Sequence, residues 1–372
     1  MPRSRSVVRN IQKWKETKLF KVRNAKRTDE IDIQAIKKVL VKYDHGDERL
    51  IWRDNKKPGK ERIIVLGTKT NLKRLRGCEL GAADITYEHV LLYIPLIKAL
   101  NLFTKLMTVH GRFQGKFIPL AFVLLHKDPN QAIYEEIYTM LPRMNNLQAF
   151  VVDYDLAQIN ALKNLYPTIW LIGCLFHLIQ AVMKHMIKLG WKPTKSEKFK
   201  NPAFAAVNFQ IDRFFYLGFC RVDDVESTFL SLIEDLKTGK IASEASITTF
   251  SAYMKATWIG ETTATSYKAP RYDHSLWNSH ASTTRFGVRA NNAVEAWNLQ
   301  LQSSVSTLGH PQSGRFLNAL VREHSHIKIL FADANKGVGE EERSEKEAII
   351  PQIFQLYDNC DDKPVLYVDL IR

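Results

Sequence analysis

Cysteine is scarce in this 372-residue chain, and the four that occur, Cys78, Cys174, Cys220 and Cys360, show no paired spacing. That scatter argues against a disulfide framework or a four-thiolate zinc site and for a reducing compartment. Long apolar runs are missing too. The most apolar window, residues 90–103, is broken by Pro95 and Lys98 and is too short to cross a bilayer. No secretory signal pattern is visible, so a soluble intracellular protein with no membrane partner is expected. Acidic residues nearly vanish from the first 28 positions. There Glu16 stands alone against Arg3, Arg5, Arg9, Lys13, Lys15, Lys18, Lys21, Arg23, Lys26 and Arg27.

What is present begins with that charge. Across the chain 53 Lys and Arg face 39 Asp and Glu, a formal net charge of +14 that favours a polyanionic partner such as nucleic acid. The basic arm can track phosphates by releasing their counterions, with Arg3, Arg5, Arg9, Lys13, Lys15, Arg23, Lys26 and Arg27 as the DNA-binding candidates. A solvated tail is the plainer alternative, and short cationic clusters also suit nuclear import. The length allows two domains, or one domain with a large insertion.

The pattern along the chain is that of an α/β protein. Residues 29–54 carry isoleucines at helical spacing and read as a helix that docks on the core; 62–67 read as a short buried strand and 71–76 as a basic helix. Three strands come next. Residues 78–87 hold Asp84, and 102–112 with 117–126 form a hairpin through the turn at 111–115. A helix at 131–141, an apolar run 150–152 ending in Asp153, a helix at 156–165 and a second apolar run 169–172 complete the series. Three strands, a helix and a fourth strand is the order of the ribonuclease-H-like fold, a mixed five-stranded sheet in which the first and fourth strands are neighbours. Such neighbours would bring Asp84 and Asp153 together, at the carboxyl strand ends where ligands and metals gather.

Beyond His177 the texture changes to amphipathic helices without convincing strands, an all-α insertion over 178–289. A strong helix opens at Asn291 or Asn292, either a plausible N-cap, with Val294, Trp297 and Leu301 on one apolar face. The expected organisation is therefore a basic arm and docking helix (1–47), a first core segment (48–177), the insertion (178–289), a last core segment (290–333) and a linker with tail (334–372). Taken singly, Asp84 could be an ordinary strand-end acid, Asp153 a helix cap and Glu295 a first-turn acid complementing a helix dipole.

Four motifs in order carry a resemblance. Ala83-Asp84-Ile85-Thr86-Tyr87, Val152-Asp153-Tyr154-Asp155 with the helix after it, Gly173-Cys174-Leu175-Phe176-His177, and Arg289-Ala290-Asn291-Asn292-Ala293-Val294-Glu295-Ala296-Trp297 resemble the signature segments of Mutator-like element (MULE) transposases, a DDE-type family. The resemblance implies a nuclear enzyme that cuts and joins DNA at transposon terminal repeats, working as a homo-oligomer. It also implies that Asp84, Asp153 and Glu295 are catalytic ligands of two Mg²⁺ or Mn²⁺ ions, hard cations that want carboxylate oxygens. Asp155 reads as a cap rather than a ligand. Cys174 and His177 have a spacing that can supply two zinc ligands, but no second pair is found, so the resemblance gives them a structural or DNA-end-positioning role and no zinc is expected. Two departures keep an alternative open, a domesticated DNA-binding protein without catalysis. The family's glycine after the first aspartate is Ile85, expected to crowd the metal site, and the interval from Asp84 to His110 is longer than the family's; separately, no cysteine precedes Cys78 to form the family's N-terminal zinc finger.

Overall fold

The structure, a computed structural model, describes residues 50–58, 61–86, 105–191, 210–290, 292–306, 323 and 326–332. The basic arm with its eight DNA-binding candidates, Tyr87, Asn291, the linker and the tail lie outside the described residues.

Seven strands form one mixed sheet: β1 (Leu50–Asp54), β2 (Ile64–Thr68), β3 (Leu80–Thr86), β4 (Lys105–Phe113), β5 (Lys116–Leu125), β6 (Ala149–Val152) and β7 (Trp170–Gly173), in the spatial order β1-β2-β5-β4-β3-β6-β7. The helices threaded among them are α1 (Lys69–Gly77), α2 (Gln131–Met140) and α3 (Leu156–Leu165), followed by α4 (Leu175–Lys188). The chain is thus α/β, as its sequence pattern indicates, with seven strands where five are expected. The extra pair is β1 and β2, which add to the outer edge of β5. Leu50–Asp54, read from sequence as the end of a docking helix, is a strand paired antiparallel with β2 from Leu50↔Thr68 to Asp54↔Ile64. For these five residues ladder pairing decides against the helical reading, as tertiary context commonly does.

The central hairpin is dictated by its turn. Gln114 (φ 48°) and Gly115 (φ 79°) both take positive φ, the two-residue turn whose twist matches the flanking strands. Register shifts between Val109 and His110, and Pro119, which has no N–H for the ladder, stands opposite His110 at that irregularity. Strand β2 is buried along its whole length and β5 from Ile118 onward, so both read as continuous apolar runs rather than alternating ones. In β3, by contrast, alternation matters: Asp84 is half-buried while Ile85 is buried. Successive strand side chains point to opposite faces, so Ile85 does not crowd the face that carries Asp84, against the sequence expectation.

The chain divides into two compact units. The first draws on Met1–Phe150, Asp155–Ile169 and Asn292–Glu340, the second on Val151–Tyr154, Trp170–Asn291 and Glu341–Arg372. In the first, α2 and α3 pack together through the Gln158 amide donating to the Tyr138 hydroxyl at 3.0 Å. Asp155 caps α3, accepting from Ala157 N at 2.9 Å and from the Tyr134 hydroxyl at 2.8 Å. This unit also holds α9 (Asn292–Ser306).

The second unit is mostly helical. It holds α4, two 3₁₀ turns (Arg213–Phe219 and Val222–Asp224), α5 (Val225–Thr238) and α6 (Glu244–Met254). A π-turn (Lys255–Ile259) ends α6, and α7 (His274–Trp277) and α8 (Ser279–Phe286) come after it. It is not all-α, because β8 (Glu261–Thr262) and β9 (Tyr267–Lys268) pair as a small antiparallel ladder. Two residues per strand are too few to leave an alternating pattern in the sequence. No described helix is long and apolar enough to cross a membrane.

Candidate active site

In the first unit the site is built on β3, β4 and α9. The apolar face of α9 buries Val294, Trp297 and Leu301. Trp297 lies against Phe122 (ring centroids 5.5 Å) and meets His110 edge-on (5.6 Å). Among these apolar residues sits a polar one, Asn298, only 5 % exposed. Its side-chain amide donates to Asp84 Oδ2. In turn its carbonyl oxygen accepts from the Thr108 hydroxyl at 3.5 Å, and Thr108 lies opposite Asp84 in the β3–β4 register.

Behind Thr108 stands His110, its Nε2 3.1 Å from Thr108 Oγ1. Burial pushes the His110 pKa down to about 3, so the ring is neutral. Since the Thr108 hydroxyl spends its proton on Asn298, it accepts from His110, which fixes the tautomer with the proton on Nε2. The result is a buried relay, His110 to Thr108 to Asn298 to Asp84, that orients one carboxylate. Glu295 is half-buried in the first turn of α9, three residues before Asn298 and hence on the same helical face.

In the second unit Asp153 comes directly after β6. Cys174 follows β7 and serves as N-cap of α4, its backbone N–H donating to Val152 O at 2.9 Å, while Leu175 N donates to Arg289 O at 2.9 Å. Gly173 is dictated by packing: a Cβ there would stand 2.7 Å from the Tyr154 hydroxyl oxygen. Tyr154 in turn meets Trp258 (4.8 Å) and Tyr272 (5.1 Å) edge-on, and the Tyr272 hydroxyl donates to Tyr154 O at 2.7 Å. This aromatic brace fixes the peptide next to Asp153. Trp258 and Trp277 are each 2 % exposed and belong to the core.

His177, on the first turn of α4, reaches Asp153: Nδ1 lies 2.8 Å from Oδ1, with side-chain exposures of 29 % and 27 %. Burial disfavours a charged ring here. Hydrogen bonding and charge from Asp153, and after it Cys174, outweigh that and raise the His177 pKa to about 11. One donor atom each from Asp153, Cys174 and His177 lies within 4.8 Å of the others.

Of the residues singled out from sequence, Asp84 and Glu295 thus meet the same α9 face, and Asp153, Cys174 and His177 form one cluster. From sequence, the Cys174/His177 pair is a structural or DNA-end-positioning element near the site rather than a pair of metal donors; here both side chains lie within reach of Asp153. Asn298, Thr108, His110 and Tyr272 are missed in the sequence as well. The signal for the first three is present: a polar residue inside an apolar helical face, and two polar residues alternating with Met107 and Val109 in mid-strand. Compared with known proteins, the chain matches no family model, no curated protein and no solved structure.

Proposed function

We propose that the chain is a DDE-type DNA transposase of the Mutator-like class, with a ribonuclease-H-like core, that hydrolyses and transfers DNA phosphodiesters at transposon ends in the nucleus. The observation that carries this reading is the strand order. Within the seven strands, the run β5-β4-β3-β6-β7 is the order of a ribonuclease-H-like sheet, with the strand of Asp84 next to the strand that ends at Asp153. Further support comes from α9, whose Glu295 shares a face with the residue that orients Asp84.

The donor set suits the implied cations: Asp84, Asp153 and Glu295 are three half-buried carboxylates, oxygen ligands of the kind Mg²⁺ or Mn²⁺ takes. Two such ions supply activation of an attacking water or 3′-hydroxyl and stabilisation of the leaving oxygen. The protein's own part is preorganisation. Asn298 fixes the Asp84 carboxylate, His177 and the Tyr272–Tyr154 brace fix Asp153, and the buried neighbours of α9 hold Glu295 at a set height on its helix. The basic arm, with a chain charge of +14, supplies the attraction to duplex DNA.

The deciding experiment is cleavage and strand transfer of duplex carrying the terminal repeats that flank the coding element, with Mg²⁺ or Mn²⁺, comparing wild type with Asp153→Ala. Products with wild type and none with the variant are expected. Absence of products from wild type with either ion overturns the enzymatic reading and leaves a DNA-binding protein.

A further inference from the structure

We propose that Asp153, Cys174 and His177 together bind one zinc-class cation (Zn²⁺, or Co²⁺ as its optical substitute) at a site lying wholly within the second unit. Three donors of three kinds, carboxylate oxygen, thiol sulfur and imidazole nitrogen, stand within 4.8 Å of one another. That mixture suits zinc and its transition-metal neighbours and suits Mg²⁺ poorly, since Mg²⁺ keeps to oxygen. Donor atoms around a tetrahedral zinc stand about 3.3–3.7 Å apart, given metal–ligand bonds of about 2.0–2.3 Å, so side-chain shifts of about an ångström close the site.

Local structure brings the donors into reach. Cys174 is the N-cap of α4 and His177 lies in its first turn, a three-residue spacing that sets both on one face of the helix. The backbone bond from Cys174 N to Val152 O ties the end of β7 to the end of β6, which puts Asp153 beside them. Three protein ligands leave a fourth position for water or an anion, the arrangement of an open rather than a closed zinc site. Rival thiols are poor competitors, because burial raises Cys78 and Cys220 to about 12 and keeps them protonated.

Asp153 belongs both to this donor set and to the carboxylates proposed for Mg²⁺. Zinc therefore competes for it, and inhibition of Mg²⁺-supported cleavage is the functional consequence, a consequence that rests on the transposase reading. Zinc binding itself does not rest on it, and the two are measured separately.

The test uses the full chain, stripped with chelator and titrated with Co²⁺. One equivalent should produce a thiolate-to-cobalt charge-transfer band that Zn²⁺ abolishes and excess Mg²⁺ does not. Cys174→Ser should remove the band, and His177→Gln, at a partly exposed position, should weaken binding by at least about tenfold while leaving the circular dichroism spectrum unchanged. Should Cys174→Ser fail to fold, His177→Gln alone decides. No band and no retained metal in wild type, or a titration unaltered by the variants, overturns the proposal. Loss of DNA cleavage with cobalt binding intact counts against the transposase reading and not against this one.

Discussion

Asn298 orients the Asp84 carboxylate. It is nearly buried, and each half of its amide group is used: the nitrogen on Asp84, the oxygen on Thr108. Replacing it by Ala removes an amide donor from the carboxylate and an acceptor from the Thr108 hydroxyl, while the Val294–Trp297–Leu301 face keeps α9 in place. On the proposed function, Asn298→Ala is expected to lower cleavage by about 10–100-fold and to raise the Mg²⁺ concentration at half-maximal rate, as read by metal titration of strand cleavage. An unchanged metal dependence would show that Asn298 serves packing alone. Its place inside an apolar helical face marks Asn298 in the sequence, but its partners cannot be read there, because Asp84, Thr108 and His110 come from distant strands.

At the scale of elements, the β1–β2 pair that extends the sheet is fastened by Asp54 and Arg62. The guanidinium grips the carboxylate with two bonds, at 2.7 and 3.2 Å, and the side chains are 15 % and 8 % exposed. Burial pushes the Asp54 pKa up, but the hydrogen bonds and charge of Arg62, with the Lys56 amide, outweigh it and hold the carboxyl below its ordinary 3.8. A lowered folded-state pKa means that the pair's stabilisation is present above 3.8 and is lost as pH falls through the lowered value. Arg62→Leu should therefore cost about 1–3 kcal/mol in urea unfolding at neutral pH, with the gap from wild type closing in acid below pH 3.8. A gap that stays constant into acid would show that apolar packing, not the ion pair, fastens the edge. Elements with strong local signals are legible from sequence. The β4–β5 hairpin declares itself through Gly115, and α3 runs over the residues its periodicity picks out, 156–165. Elements held by partners are not, and Leu50–Asp54 becomes a strand only because β2 is there to pair with it.

For the whole molecule the dominant quantity is charge. With a net +14, and ten of its cations in the first 28 residues, the protein is expected to bind duplex DNA in a manner set by counterion release. Raising salt from about 50 to 200 mM should weaken binding by about a thousandfold if six or so phosphates are neutralised. Deleting residues 1–28 should flatten that dependence; both are read by fluorescence anisotropy with the full chain as reference. A slope unchanged by the deletion would move DNA contact away from the arm. The proposed zinc site, by contrast, draws on the second unit alone, since its three candidate donors all belong there.

Sequence by itself determined the α/β class, most strand and helix positions within the described residues, the basic character, and the acids worth pursuing. Each of these rests on near-neighbour chemistry, on periodicity, turn residues, caps and summed charge, which a linear reading contains. Only the tertiary structure decided that seven strands share the sheet, that Ile85 and Asp84 lie on opposite faces, and that His177 and Cys174 turn toward Asp153. The physical reason is that a polar side chain's role is set by the partner it meets across the fold. From sequence His177 has a structural or DNA-end-positioning role; its partner is fixed only where the end of β6 delivers a carboxylate 2.8 Å from its ring.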